Sequence, residues 1–471
     1  MTGIYAIVPS IVATGERFNL RFKILTTPYE VGWECYTSRP GLRSPFNVSP
    51  RGIKYLDNVY DGDIGEIEIE IENRRSKFSN YHGVFFNDRR KFGTVYDLSF
   101  EKPGIHFIKV RYPEKNIEAI TNPIFVMEEP RFRIFWGDLH SQTFFSDGLR
   151  CPEELYLFAR DEAFLDFFSI TDHSEWITDR QWEYFCAVTN DFNEDEKFTT
   201  LIAQEWTDNS FGHRNIYFPK NTGQIVRSGK DSIEKVYEVA HHYNGLVIPH
   251  HSANVSMGVN WNLAHDGDVE KLVEIYSVWG SSEINAQQGN TRPIRVLGGE
   301  KKSQHVIDAL NLGYEFGFVG GGDIHDGRPG DDLHTMQGKP DIYRLLYRQG
   351  LTAVIAEKLT RDEIFNALFN RQCYATSNVR MILQFSINGI SSGSFLGNPD
   401  KLDFFIKAAS EVPVFKIFLI SDGKIYKTFD VNKRECELKF EQLYSGEKYF
   451  YVRVQRVDGE LAWIGPIWIK D

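Results

Sequence analysis

Five apolar runs in the middle of the chain each end in residues that bind metals, and this repetition constrains the fold more than any other feature. Phe135–Trp136 precedes Asp138 and His140, Phe167–Ile170 precedes Asp172 and His173, and Leu201–Ala203 precedes Glu205. Leu246–Ile248 precedes His250 and His251, and Phe318–Val319 precedes Asp323 and His325. Short apolar runs alternating with helical patterns predict parallel strands, and ligands set repeatedly at strand ends describe the active face of a β/α barrel. Histidine clusters in the same region: of 13, only His82 and His106 precede His140, and none follows His334.

The flanks read differently. Phe18–Phe22, Ile67–Ile71 (Ile-Glu-Ile-Glu-Ile) and Ile105–Val110 alternate with period 2, which buries one face of a strand and wets the other. The same alternation returns in Ile382–Ile387, Leu402–Ile406, Phe415–Leu419, Tyr449–Val454 and Trp463–Ile469. With prolines at 113, 123 and 130 as punctuation, the chain divides into an N-terminal β-sandwich (1–130), a metal-binding barrel (131–378) and a C-terminal β-sandwich (379–471). A length of 471 residues suits several cores. Helices are expected from Pro152, over Ile233–Tyr243 with Asp231 as cap, over Ser303–Leu312, and over Ile364–Asn370 behind a Thr360/Glu363 capping box.

Chemistry concentrates in Gly137-Asp138-Leu139-His140-Ser141-Gln142-Thr143, Ser146-Asp147-Gly148, Thr171-Asp172-His173, Gln204-Glu205-Trp206, Pro249-His250-His251 and Gly321-Gly322-Asp323-Ile324-His325. His140 and Gln142, two apart in an extended segment, face one side. A mixture of imidazole and carboxylate suits Zn, Mn or Fe, whereas a calcium site would be nearly all oxygen. About eight candidate ligands exceed the needs of one tetrahedral ion, so two divalent ions are expected, with room for a third.

This ordered series resembles the PHP (polymerase and histidinol phosphatase) superfamily of metallohydrolases, and more closely its branch of unknown-function domains that includes carbaryl hydrolase. The resemblance implies an α/β fold, a distorted (β/α)7 barrel flanked by the two β-sandwiches, with metals at the carboxyl ends of its strands. Carried over by position, it implies metal binding by His140, Asp147, His173, Glu205, one of His250 and His251, Asp323 and His325. Many members have a second histidine where this chain has Gln142. An amide oxygen is a poorer ligand, which favours two ions over three.

Other residues carry weaker signals. Asp138 and Asp172 are expected to orient ligands rather than bind metal. His213 could contact substrate or act as general acid, or hold a loop; Arg328, three residues past His325, could clamp an anion or form a loop salt bridge. His241, His242, His265, His305 and His334, with Trp206, Trp261 and Trp279, read as packing or surface residues. A formal charge of -12 disfavours nucleic-acid binding. No membrane-length apolar run, no leader-like start and five scattered cysteines, Cys35 among them, suggest a cytoplasmic location without disulfides. The expected function is metal-dependent hydrolysis of a small-molecule phosphoester, carboxyl ester or carbamate. The alternative is a noncatalytic metal-stabilised module binding polysaccharide or protein.

Overall fold

The computed structural model describes residues 3–25, 29–30, 55–56, 65–71, 74–78, 84–86, 92–330 and 346–470; His82, His334 and Cys35 lie outside them. The N-terminal strands pack as small, mostly antiparallel sheets over one core. Gly3–Ile7 pairs with Phe18–Leu25 and that with Gly93–Leu98, while Ile67–Ile71, Lys109–Tyr112 and Ile117–Ile120 lie in a second sheet. The period-2 pattern explains the packing, since Leu20, Phe22, Ile24, Ile67, Ile69 and Val110 all point into a shared core.

The expected (β/α)7 barrel is not what the chain forms. Strands dominate, helices are few, and the middle strands do not close into a parallel ring. Arg133–Asp138 pairs parallel with Phe167–Phe168, but its other neighbour, Leu351–Ala356, runs antiparallel. Ile202–Trp206, Arg214–Phe218 and Leu246–Pro249 make a separate, wholly antiparallel sheet. Leu272–Ser277 and Gly317–Gly320 pair parallel in a third sheet. The physical reason is connection length. A parallel neighbour needs a long crossover, usually a helix, and Trp206 is followed after a short loop by Arg214–Phe218, which returns alongside. Fully buried apolar strands read alike in either pairing, so the apolar runs located strands without fixing their direction.

One sheet runs on past residue 378. From Arg133–Asp138 it continues through Leu351–Ala356, Cys373–Thr376, Leu461–Lys470 and Tyr449–Arg456 to the long strand Lys401–Ser421, which also pairs with Lys424–Leu443. The α-helices Pro152–Leu157, Asp179–Asp191, Ile233–Tyr243, Val306–Asn311 and Arg361–Phe369 cover parts of these sheets. Thr360 caps the last through the Glu363 amide, as its sequence suggests. The expected Asp231 cap is displaced: Ser232 precedes helix Ile233–Tyr243, and Asp231 instead accepts from the Arg227 amide at 2.7 Å. No helix among the described residues is long and apolar enough to cross a membrane.

A buried charge network ties the C-terminal strands to the middle region. Glu283 accepts from Tyr451 Oη at 2.7 Å on one oxygen, and from Arg453 NH1 and Trp463 Nε1, each at 2.8 Å, on the other. All four side chains are buried. Glu283→Ala would strand the Arg453 guanidinium away from water, and the expected loss is about 3–5 kcal/mol of unfolding free energy in urea. A loss below about 1 kcal/mol, the range of solvated pairs, would show that water reaches the network.

Candidate metal centre

The ends of separate strands bring the candidate ligands into one buried cluster. Glu205 lies within strand Ile202–Trp206, while Arg133–Asp138, Phe167–Phe168, Leu246–Pro249 and Gly317–Gly320 run toward His140, His173, His250 and Asp323. Backbone pairing fixes their mutual register. The Asp323 amide donates to His140 O at 2.8 Å, the Gln142 amide to Ile324 O at 2.8 Å, and the Glu205 amide to Asp172 O at 3.1 Å. Gly321 and Gly322 permit the closest approach: a Cβ at Gly321 would stand 2.0 Å from Glu274 Oε2, and one at Gly322 2.4 Å from Asp138 Oδ2. His251 (φ 31°) and Asp323 (φ 49°) hold left-handed backbone that side-chain-bearing residues seldom adopt, a strain that clusters at functional sites.

Glu205 is the hub. Its Oε1 lies 2.9 Å from His213 Nδ1, 3.1 Å from His250 Nε2 and 3.7 Å from His173 Nδ1. Its Oε2 lies 3.3 Å from His140 Nε2 and accepts from Gln142 Nε2 at 2.6 Å. Asp323 Oδ1 is 3.5 Å from His140 Nε2 and 3.9 Å from His325 Nδ1, and Asp323 Oδ2 is 4.0 Å from His251 Nε2. Asp147 Oδ1 is 3.1 Å from His325 Nε2 and 3.7 Å from His173 Nε2.

Three groups of donors are close enough to hold a metal ion: Glu205, His213, His250 and His251; His140, His250 and Asp323, which shares His250 with the first; and Asp147, His173 and His325. The donor chemistry fits a cation. Glu205, Asp323 and Asp147 gather among six imidazoles, and the buried Nδ1 atoms of His173, His250 and His251 have no hydrogen-bond partner among the described residues. The cluster opens at one end, where the side chains of Asp147, His173 and His213 are 18%, 14% and 11% exposed against 0% for His140 and His250.

Supporting residues separate into those read from sequence and those missed. Asp138 Oδ1 takes the amides of His140 (3.0 Å) and Gly322 (2.7 Å), so it positions the ligand strands as expected. Asp172 orients the loop that carries Gln142 rather than His173, accepting from Thr143 N and Oγ1 and from Ser146 N and Oγ. Trp279 does more than pack, since its Nε1 donates to Asp323 Oδ2. Glu274 was missed: its Oε2 lies 3.0 Å from His140 Nδ1, setting the ring so that Nε2 faces Glu205. A lone carboxylate inside the apolar strand Leu-Val-Glu-Ile-Tyr-Ser was the available signal. Arg328 is buried with its guanidinium 4.9 Å over the Phe158 ring. His305 sits at the start of helix Val306–Asn311, and His265 lies 2.7 Å from Glu270.

Electrostatics follow from this crowding. Burial opposes the charge on Glu205, yet His173 and His250 outweigh it and hold the carboxyl well below its usual range. Burial likewise opposes protonation of His140 and His173, but neighbouring carboxylates prevail: Asp323 and Glu274 raise His140 well above normal, and Glu205 and Asp147 raise His173 to about 9. Burial lowers His250 to about 4 and pushes Asp138 up to about 7 and Asp172 to about 6.

The neighbouring carboxylates thus favour the protonated form of His140 and His173 in the metal-free chain, and an imidazole must be neutral to ligate. Metal uptake at pH 7 is expected to release on the order of two protons per chain. Calorimetric titration in buffers of different ionisation enthalpy reads that number. Uptake without proton release would contradict metal binding by protonated His140 and His173.

Comparison with known proteins gives relatives of uncharacterized function. A family described as "Protein of unknown function (DUF3604)" matches residues 336–392. The chain is similar to an uncharacterized protein of Chlamydia trachomatis serovar D, 28% identical over 451 residues, spanning 90% of this chain and 71% of that one. It is also similar to one of Chlamydia muridarum, 27% identical over the same shares. Among solved structures, the sulfur carrier protein SoxY from Chlorobium limicola f thiosulfatophilum has a TM-score of 0.16, with 13% identity over 19% of this chain and 79% of that one. Bacteroides uniformis beta-glucuronidase 2 also scores 0.16, with 8% identity over 99% of this chain and 61% of that one. Neither likeness carries an inference about fold or function.

Proposed function

We propose that this chain is a metal-dependent hydrolase that uses the Glu205 cluster to hold two divalent transition-metal ions, Zn, Mn or Fe, and cleaves an ester bond in a small molecule. The observation that carries the reading is the convergence of His140, His213, His250 and His251 with Glu205 and Asp323 in two buried donor groups that share His250, beside a more open third group of Asp147, His173 and His325. Such a mixed imidazole and carboxylate set suits those ions rather than calcium. The motif resemblance to PHP metallohydrolases supports the same chemistry without supporting their barrel.

In this reading Glu205, set among His140, His250 and His173, would hold the ions together with Asp323 and Asp147. When bound, the ions supply Lewis acidity toward water and toward an ester oxygen. The chain's own work is positional. Glu274 fixes the His140 tautomer, Trp279 steers Asp323, and Gln142 holds Glu205 through its amide. The ester approaches from the open end beside Asp147, His173 and His213.

The test is a panel of chromogenic phosphate mono- and diesters, carboxyl esters and aryl carbamates, assayed before and after chelation. Expected is activity on at least one class, lost with the metal and restored by Zn, Mn or Fe. Asp323→Ala and His173→Ala should each lose about 100-fold or more in kcat/KM while circular dichroism stays unchanged. A metal-loaded chain inert across the panel would overturn the hydrolase reading in favour of a noncatalytic binding module.

A further inference from the structure

A second site stands at the opposite end of the central strand. Arg133–Asp138 leads toward the metal cluster at its carboxyl end, and Arg133, Ile134, Phe135 and Trp136 at its amino end line a cleft of about 680 Å³ roofed by the N-terminal strands. Most charges on this cleft are already paired. Arg133 NH2 donates to Glu16 at 2.7 Å, Glu357 meets Arg131 at 3.3 Å, Arg17 meets Asp97 at 3.4 Å, and Lys197 meets Glu194. Glu196 is exposed on the rim.

Two guanidinia remain, reaching in from different parts of the chain, and they meet at one backbone oxygen. Arg21 NH2 donates to Phe164 O at 3.2 Å and Arg380 NH2 donates to the same oxygen at 2.7 Å; Arg21 NH1 also donates to Arg160 O at 3.3 Å and Arg380 NH2 to Ala163 O at 3.2 Å, so both are held by backbone carbonyls and neither by a carboxylate hydrogen bond among the described residues. Phe164 adopts left-handed backbone (φ 57°) at this point. Asp166 acts on both cations, with one of its oxygens already taken by the Trp136 amide at 2.8 Å, while Asp161, which also acts on Arg21, is held by Arg160 through two bonds of 2.8 Å. Two positive charges against one negative leave a surplus cation. Desolvation lowers the Arg21 pKa, the neighbouring Arg380 charge lowers it further, and Asp166 offsets only part of this. Arg380 is buried, and its Nε has no hydrogen-bond partner among the described residues.

We propose that this cleft binds a small oxyanion, a phosphate or a carboxylate, clamped between Arg21 of the N-terminal sheet and Arg380 between strands Cys373–Thr376 and Ile382–Ile387. Converging guanidinia present planar donor pairs that match such oxygens. The ligand bridges two parts of the chain, so it stabilises the folded state by mass action. This site does not depend on the hydrolase reading.

The test is calorimetric titration and thermal unfolding of the chelator-treated chain with inorganic phosphate, and separately with acetate, at constant ionic strength against chloride. Saturable binding with a rise in Tm is expected, with phosphate and acetate distinguishing the two ligand chemistries. Arg21→Gln and Arg380→Gln should weaken it by roughly tenfold or more, the worth of a charge-assisted hydrogen bond, whereas Asp323→Ala should leave it unchanged. If the arginine variants do not fold, hydrogen exchange on the unaltered chain decides: the ligand should protect residues 18–25 and 163–166. Absence of saturable binding, no protection of those segments, or a loss in Asp323→Ala but not in the arginine variants would overturn the proposal.

Discussion

The carboxylate of Glu205 is surrounded by four imidazoles and an amide, each within 3.7 Å of one of its oxygens. Carrying that much charge into a buried site costs several kcal/mol per ion unless every group finds a partner. The rest of the middle region can be understood as the means of supplying those partners. Strand Ile202–Trp206 carries Glu205 and Arg214–Phe218 returns antiparallel beside it, placing His213 eight residues away against the same oxygen. His250 then follows the next strand of that sheet, its amide donating to His213 O at 3.3 Å.

Two further sheets close on the cluster from other sides. The central strand delivers Asp138 and His140, and the parallel pair Leu272–Ser277 and Gly317–Gly320 delivers Glu274 and the Asp323 turn. Their contact needs Gly321 and Gly322, where any side chain would collide with Glu274 or Asp138. Strain at His251 and Asp323 is thus localised where ligands must be aimed. Trp279, Glu274 and Gln142 then lock the ligands by hydrogen bonds, which leaves little freedom to be lost when a cation binds.

The cluster of possible donors was legible because imidazoles and carboxylates at the ends of apolar runs are rarely needed for packing alone. His140, His173, Glu205, His250 and Asp323 could be picked out from that pattern, and period-2 alternation marked strands such as Ile67–Ile71. Strand direction was not legible. Val-Ile-Leu runs buried on both faces look the same in parallel and antiparallel sheets, and in Arg214–Phe218 only Ile216, Tyr217 and Phe218 follow two polar residues, too short an apolar run to reveal the return strand. Arg214 is buried there because Glu270 pairs with it at 2.6 Å, a partner 56 residues distant. Glu274 and Trp279 escaped for a similar reason: their roles depend on long-range partners, His140 and Asp323, that no local spacing encodes.

The central claim is that Glu205 organises a metal centre, and elemental analysis of the purified chain beside Glu205→Ala tests it most directly. After loading with Zn, Mn or Fe and removal of free ion, the unaltered chain should retain about two ions. Glu205→Ala should retain fewer, with its circular dichroism unchanged. An unaltered chain that holds no transition metal, or a variant that holds the same complement, would contradict the account.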